Sequence, residues 1–119
     1  MRVPKIPGFS KKSVLAYMKT QLSMRPSWSM RGCVRIYEKQ TKRERRSDVA
    51  HGHNGVGFNK LDTPRLSVLA RKINNNTSLT DKEINLLCKR MPRYAGQLIS
   101  IADLNKLQTL LKNYYSKKD

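Results

Sequence analysis

The sequence predicts an all-α fold, a small bundle of five or six short helices with one long glycine-rich loop. Apolar residues recur at spacings of three and four along most of the chain, as on the inner face of a helix. Capping residues and prolines stand where such helices would begin or end, and no β-rich series of strands is visible. At 119 residues the chain has the size of one domain.

The first helix is predicted to begin at Ser10, whose hydroxyl can cap it, and to end near Pro26. Residues 1–9 contain two prolines and little periodic pattern, so we predict a flexible basic N-terminal arm there. A single helical domain is expected over residues 10–116, and a polar tail over 117–119. The inward positions of the first helix are Val14, Leu15, Met18 and Leu22.

The second helix is predicted to run from Ser27 to about Arg46, and it carries a basic stripe. Five cations step by four, four, three and four residues, so at about 100° per residue they lie within an arc of roughly 80°. The stripe consists of Arg31, Arg35, Lys39, Lys42 and Arg46. The other side of the helix is expected to face inward through Met30, Cys33, Val34, Tyr37 and Thr41.

The helical pattern stops between Ser47 and Leu61, where three glycines and the Asn54-Gly55 turn signal predict a long loop. Its segment Gly55-Val56-Gly57-Phe58 lacks the lysine and hydroxyl of a nucleotide-binding P-loop. We favour a tight turn that docks Phe58 on the core, with backbone N–H groups near a partner as the alternative.

The later helices are marked by their boundary residues. Thr80 followed by Glu83 is a capping-box pattern, Pro92 breaks the helix that it opens, and Asp103 can start the last helix. The third helix is bounded by Asp62 or Thr63 before Pro64 and by Asn74-Asn75-Asn76 at its end.

Charge indicates the kind of partner. Lys and Arg number 25 against 8 Asp and Glu, which leaves a net charge of +17. Such an excess favours a polyanion, either DNA or RNA, with an acidic protein or a membrane surface as alternatives. No apolar run is long enough to span a bilayer, and prolines interrupt the N-terminus, so we expect a cytoplasmic protein without a membrane partner.

Three groups of cations are the predicted nucleic-acid contacts, and each would neutralise phosphates. The second helix supplies Arg31, Arg35, Lys39, Lys42, Arg43, Arg45 and Arg46. A second patch consists of Arg65, Arg71, Lys72, Lys89, Arg90 and Arg93. Lys11 and Lys12 add contacts near the N-terminus.

Neither a metal site nor a catalytic centre is predicted. His51 and His53, with Cys33 and Cys88, are residue types that zinc prefers, but their spacing matches no zinc motif. The eight acids are scattered, and no nucleophile stands beside a base with an orienting group. We therefore expect no cofactor and no enzyme activity.

Four segments between Trp28 and about Ala102 carry a resemblance: RIYEKQTKRE, NGVGFNKLD, SLTDKE and KRMPRYAGQL. The series resembles uncharacterised small proteins and helicase-associated segments of phages and mobile genetic elements, over about two thirds of this chain. The resemblance implies a place in nucleic-acid metabolism, with a larger nucleoprotein assembly or helicase as a further partner. The resemblance does not identify any residue of this chain as catalytic.

The sequence thus predicts a non-enzymatic nucleic-acid-binding accessory protein that acts through phosphate-backbone contacts. The alternative is an adaptor or inhibitor that binds an acidic protein, such as a nucleic-acid enzyme. Attachment to a membrane surface would require an apolar helix face to stay exposed in the monomer, and we expect that face to be buried. DNA and RNA, single-stranded or double-stranded, all remain open at this stage.

Overall fold

The computed structural model of the protein is all-α, as predicted. It describes residues 3–46 and 56–116, and the side chains of 42–46 are not among the parts described. Over these ranges there are six α-helices, one short 3-10 helix and no strand. The elements are α1 (Lys11–Met24), α2 (Pro26–Arg46), α3 (Thr63–Asn74), α4 (Asp81–Arg90), the 3-10 helix (Met91–Tyr94), α5 (Ala95–Ile101) and α6 (Leu104–Ser116).

Three predicted helix starts are confirmed by hydrogen bonds. The Ser10 hydroxyl accepts the backbone N–H three residues on at 3.1 Å. Thr80 and Glu83 form the reciprocal capping box, each donating its backbone N–H to the side chain of the other, at 2.9 and 3.2 Å. The Asp103 carboxylate accepts the N–H groups two and three residues on, at 3.0 and 3.2 Å.

The start of α3 differs from the prediction. Asp62 occupies the N-cap position, but its side chain makes no capping hydrogen bond. It is 1% exposed and turns into the protein, toward α4 and the 3-10 helix. The end of α3 is as predicted, because the helix stops at Asn74 and Asn76 takes a positive φ of 58°.

Helix α2 lies at the centre of the bundle and contacts α1, α3, α4 and α5. Its closest approach is at Gly32, where a Cβ atom would lie 2.9 Å from the Cδ1 atom of Leu98 and 3.2 Å from the Cε atom of Met91. A Cβ at this position would require the ends of the Leu98 and Met91 side chains to shift, so glycine allows the close packing seen here.

The centre of the buried face of α2 lies away from that of the predicted face. The buried positions are Ser29, Gly32, Cys33 and Ile36. Cys33 was predicted to face inward and does so, whereas the other predicted inward residues are only half-buried: Met30, Val34, Tyr37 and Thr41. At about 100° per residue, the middle of the stripe lies roughly 110° from the middle of the buried face. The stripe therefore borders the helix contacts along one edge instead of standing opposite them.

Residues 3–9 lie against the helical domain, where the sequence predicted a flexible arm. Ile6 is 1% exposed and belongs to the core. Gly8 has a φ of +87°, which favours glycine, and the turn brings Phe9 onto the ring of Tyr115 at a centroid distance of 5.8 Å. The packed part of the chain therefore begins before the first helix. Residues 117–119, and positions 47–55 of the predicted glycine-rich loop, lie outside the described part.

Candidate nucleic-acid interface

The described part of the stripe is an exposed row of cations on α2. Arg31, Arg35 and Lys39 are all exposed, at successive turns of the helix. With a rise of 1.5 Å per residue, the row spans about 12 Å, a length over which one strand of B-DNA carries about three or four phosphates. The backbone of α2 continues through the remaining predicted contacts. The side chains of Lys42, Arg43, Arg45 and Arg46 lie outside the described residues.

No acid of the described part forms an ion pair with this row. Two ion pairs form among the described residues, Lys72 with Glu83 at 2.6 Å and Arg90 with Asp62 at 2.8 Å, and neither includes a cation of the stripe. Glu38 lies exposed on the same helix, and it takes part in neither of these pairs. The positive charge of the row is therefore left for solvent ions or for a partner.

Arg35 differs from its neighbours because the fold holds its guanidinium. The Nη2 atom donates a hydrogen bond of 2.7 Å to the carbonyl oxygen of Ile101 at the end of α5. A guanidinium has five N–H donors, so this bond orients the group and leaves other donors for a phosphate.

The two predicted lysines of the N-terminal region, Lys11 and Lys12, are exposed in the first turn of α1. Helix α1 begins at Lys11, so the backbone of both lysines is held by the helix and is not part of a free arm.

The six residues of the second predicted patch have different environments in the structure. Its exposed members are Arg65, Arg71, Lys89 and Arg93. Arg71 places its guanidinium 5.9 Å from the ring centroid of Tyr37. Lys72 and Arg90 are engaged in the two ion pairs, so this patch is not a row of unpaired cations.

Arg90 belongs to a buried polar cluster that the sequence does not reveal. Its Nε atom donates to the Asp62 Oδ1 atom at 2.9 Å, and the Tyr94 hydroxyl donates to Asp62 Oδ2 at 2.6 Å. Burial, followed by this hydrogen bond to Asp62, raises the pKa of Tyr94 to about 12. Asp62 and Arg90 are 28 positions apart, and no local pattern connects them.

The same cluster holds the end of the loop that precedes α3. Phe58 is buried and packs edge-on against Tyr94 at 5.4 Å, so its predicted docking on the core is confirmed. The backbone N–H of Gly57 donates to Gln97 at 2.9 Å, and that of Phe58 donates to Gln40 at 2.7 Å. These two N–H groups are satisfied within the protein and are not directed at a phosphate.

The described residues contain no group of three or more His, Cys, Asp and Glu side chains that could hold a metal ion. Cys33 is buried, its thiol donates to the carbonyl oxygen of Leu66 at 3.3 Å, and burial raises its pKa to about 12. This thiol is a packed core group. His51 and His53 lie outside the described residues.

Searches of protein-family models, curated proteins and solved structures find no match to this chain. The resemblance to phage and mobile-element segments therefore stays a prediction. Within residues 3–46 and 56–116, no helix combines the length and the apolar character needed to cross a membrane.

Proposed function

We propose that this protein is a non-enzymatic nucleic-acid-binding accessory protein that holds the phosphate backbone of DNA or RNA mainly by charge. The observation that carries the proposal is the exposed row of Arg31, Arg35 and Lys39, which has no acid partner among the described residues. In a chain of net charge +17, such a row binds a polyanion with release of the counterions condensed on it.

The three cations have different parts in this proposal. Arg35 is oriented by its bond to Ile101, so its guanidinium meets a phosphate with little loss of side-chain freedom. Arg31 and Lys39 extend the contact by one helical turn on either side. Contacts of this kind position a backbone and carry no base information, so the binding is expected to be independent of sequence.

The setting of this function is also part of the proposal. The resemblance favours nucleic-acid metabolism in a phage or mobile genetic element, within a larger nucleoprotein assembly or beside a helicase. The proposed location is the cytoplasm, where both cysteines stay reduced.

The proposal is tested by titrating the protein into labelled single-stranded and double-stranded DNA and RNA at a series of salt concentrations. The slope of the logarithm of the affinity against the logarithm of salt counts the phosphates that are neutralised. In the double variant Arg31→Gln/Lys39→Gln we expect this slope to decrease by about two and the affinity to fall roughly tenfold or more.

The matched control is Lys82→Gln/Lys112→Gln, which removes the same charge from two exposed lysines outside the predicted patches. It is expected to leave the slope nearly unchanged. Equal losses in the two double variants would show that net charge, and not the stripe, drives binding. Absence of binding to all four nucleic acids at low salt would favour the adaptor alternative.

A further inference from the structure

A cavity of about 300 Å³ opens beside the stripe, between α1, α2, α5 and α6. Its walls are mostly apolar and include Met18, Leu22, Trp28, Leu98, Leu107 and Leu110. The size is at the lower end of ligand sites and suits large apolar side chains of a partner. Leu110 is 41% exposed beside it, so the apolar surface continues from the cavity onto α6.

Positive side chains outnumber negative ones at this cavity. The exposed cations Arg31, Arg35 and Lys106 line it, together with one acid, Asp103. The Asp103 carboxylate already accepts two backbone N–H groups as the cap of α6. The cavity is therefore an apolar depression with a positive margin, and it complements an apolar group carried between negative charges.

A nucleobase fits this depression less well than an apolar side chain. The charged groups lie at the margin, whereas the inner walls consist mostly of the aliphatic side chains of Met18, Leu22, Leu98 and Leu107, so the polar edge of a base that entered would be buried against apolar atoms. A leucine or phenylalanine side chain has no such groups and gains from burial. The chemistry of the walls thus favours a protein segment over a base.

From this geometry we infer that the cavity is a docking site for an acidic segment of a partner protein, whose leucine or phenylalanine anchors enter it while flanking carboxylates meet Arg31, Arg35 and Lys106. This site goes beyond the proposed nucleic-acid contact. Because Arg31 and Arg35 belong to both surfaces, the acidic segment and a nucleic-acid backbone compete for them, and this last consequence alone rests on the proposed function.

The docking site is tested without nucleic acid. The probe is a synthetic peptide that lacks tryptophan and tyrosine and carries two leucines at positions i and i+4, flanked by aspartates and glutamates. Trp28 is the only tryptophan of the chain and lines the cavity, so its emission reports binding at this place. We expect a saturable change in emission with the acidic leucine peptide. Twin peptides with serine for leucine, or with lysine for the acids, are expected to give none.

Two pairs of matched variants locate the contact. Leu110→Ser is expected to weaken the peptide about tenfold, whereas Leu104→Ser on the same helix, at a similar exposure of 38% but outside the cavity, is expected to have no effect. Lys106→Gln is expected to weaken the peptide about threefold, and Lys112→Gln is expected to leave it unchanged. All four positions are exposed, so the variants should fold.

The inference is overturned if the acidic leucine peptide leaves Trp28 emission unchanged, or if Leu110→Ser and Leu104→Ser bind it equally. It is also overturned if a single-stranded oligonucleotide changes the emission in a Leu110-dependent manner while the peptide does not, since the cavity would then be a base pocket. Failure here leaves the nucleic-acid titration untouched, because the peptide is measured alone.

Discussion

Two arginines of neighbouring helices show opposite uses of the same side chain. Arg31 on α2 is exposed and has no ion pair with a described residue, whereas the side chain of Arg90 on α4 is 16% exposed and bound to Asp62 at 2.8 Å. Both fit a basic patch equally well in the sequence. A cation therefore marks a binding surface only when the fold leaves it without an acid partner.

The two arginines also differ in what stabilises their positive charge. The charge of Arg31 keeps its water, so folding costs little there and a polyanion can replace the counterions. Arg90 and Asp62 have lost most of their water, and their mutual attraction offsets that loss only while both partners are present. The Tyr94 hydroxyl adds a bond to the same carboxylate. The buried pair therefore affects stability, and the stripe affects binding.

The largest effect on stability is expected for Asp62→Ala. The substitution leaves the Arg90 guanidinium and the Tyr94 hydroxyl without their buried acceptor, and we expect a loss of about 3 kcal/mol in the free energy of unfolding. Urea denaturation followed by circular dichroism measures this value.

The matched control for Asp62 is Asp81→Ala, which removes an exposed acid from the first turn of α4 and is expected to cost about 0.5 kcal/mol. The folded Asp62→Ala protein is expected to keep the salt slope of the parent. A stability loss no larger than that of the control would mean that the buried pair does not hold α3 and α4 together.

A smaller effect separates two members of the stripe. Arg35→Gln removes the bond to the carbonyl oxygen of Ile101 and is expected to lower the free energy of unfolding by about 1 kcal/mol. Arg31→Gln removes no hydrogen bond of the described part and is expected to change it by less than about 0.5 kcal/mol. Both variants are expected to lower the salt slope for nucleic acid by about one. Equal stabilities would show that the bond to Ile101 contributes nothing in solution.

The features of the fold that could be predicted are those set by residues close together in the sequence. Ser10, Thr80 with Glu83, and Asp103 act within three residues of the helix starts that they cap, so their roles are legible in the sequence. The inward face of α2 was predicted only in part: Cys33 is buried as predicted, but the centre of the buried face lies toward Gly32, which packs on Leu98 of a helix far away in the chain.

The candidate site shows the same limit. The periodic spacing of Arg31, Arg35 and Lys39 predicted that they share one side of the helix, since helix geometry alone decides this, and that side is exposed in the structure. Arg90 was predicted as a surface contact, because a sequence does not show which acid the fold brings beside it. The cavity could not be predicted either, because residues from four helices form its walls and the sequence does not show which helices the fold brings together.

The smallest effect concerns the half-buried ion pair of Lys72 and Glu83 near the protein surface. The hydrogen bond from Lys72, followed by that from the Thr80 backbone N–H, lowers the pKa of Glu83 below its usual value of about 4.3. The charged form of Glu83 is therefore favoured in the folded state. Its contribution to stability is fully present above the usual pKa and is lost as the pH falls through the lowered pKa of the folded protein.

The substitution Glu83→Gln keeps a hydrogen-bond acceptor for the cap of α4 and removes the charge. The variant should be slightly less stable than the parent at about pH 7 in urea denaturation, and the difference should shrink as the pH falls through the lowered pKa of Glu83. Lys72→Gln tests the cause, because without that lysine the pH-dependent difference between Glu83 and Gln should shrink. A difference that is constant with pH would instead assign the effect to capping, and the contrast with the buried Asp62–Arg90 pair would then rest on geometry and not on charge.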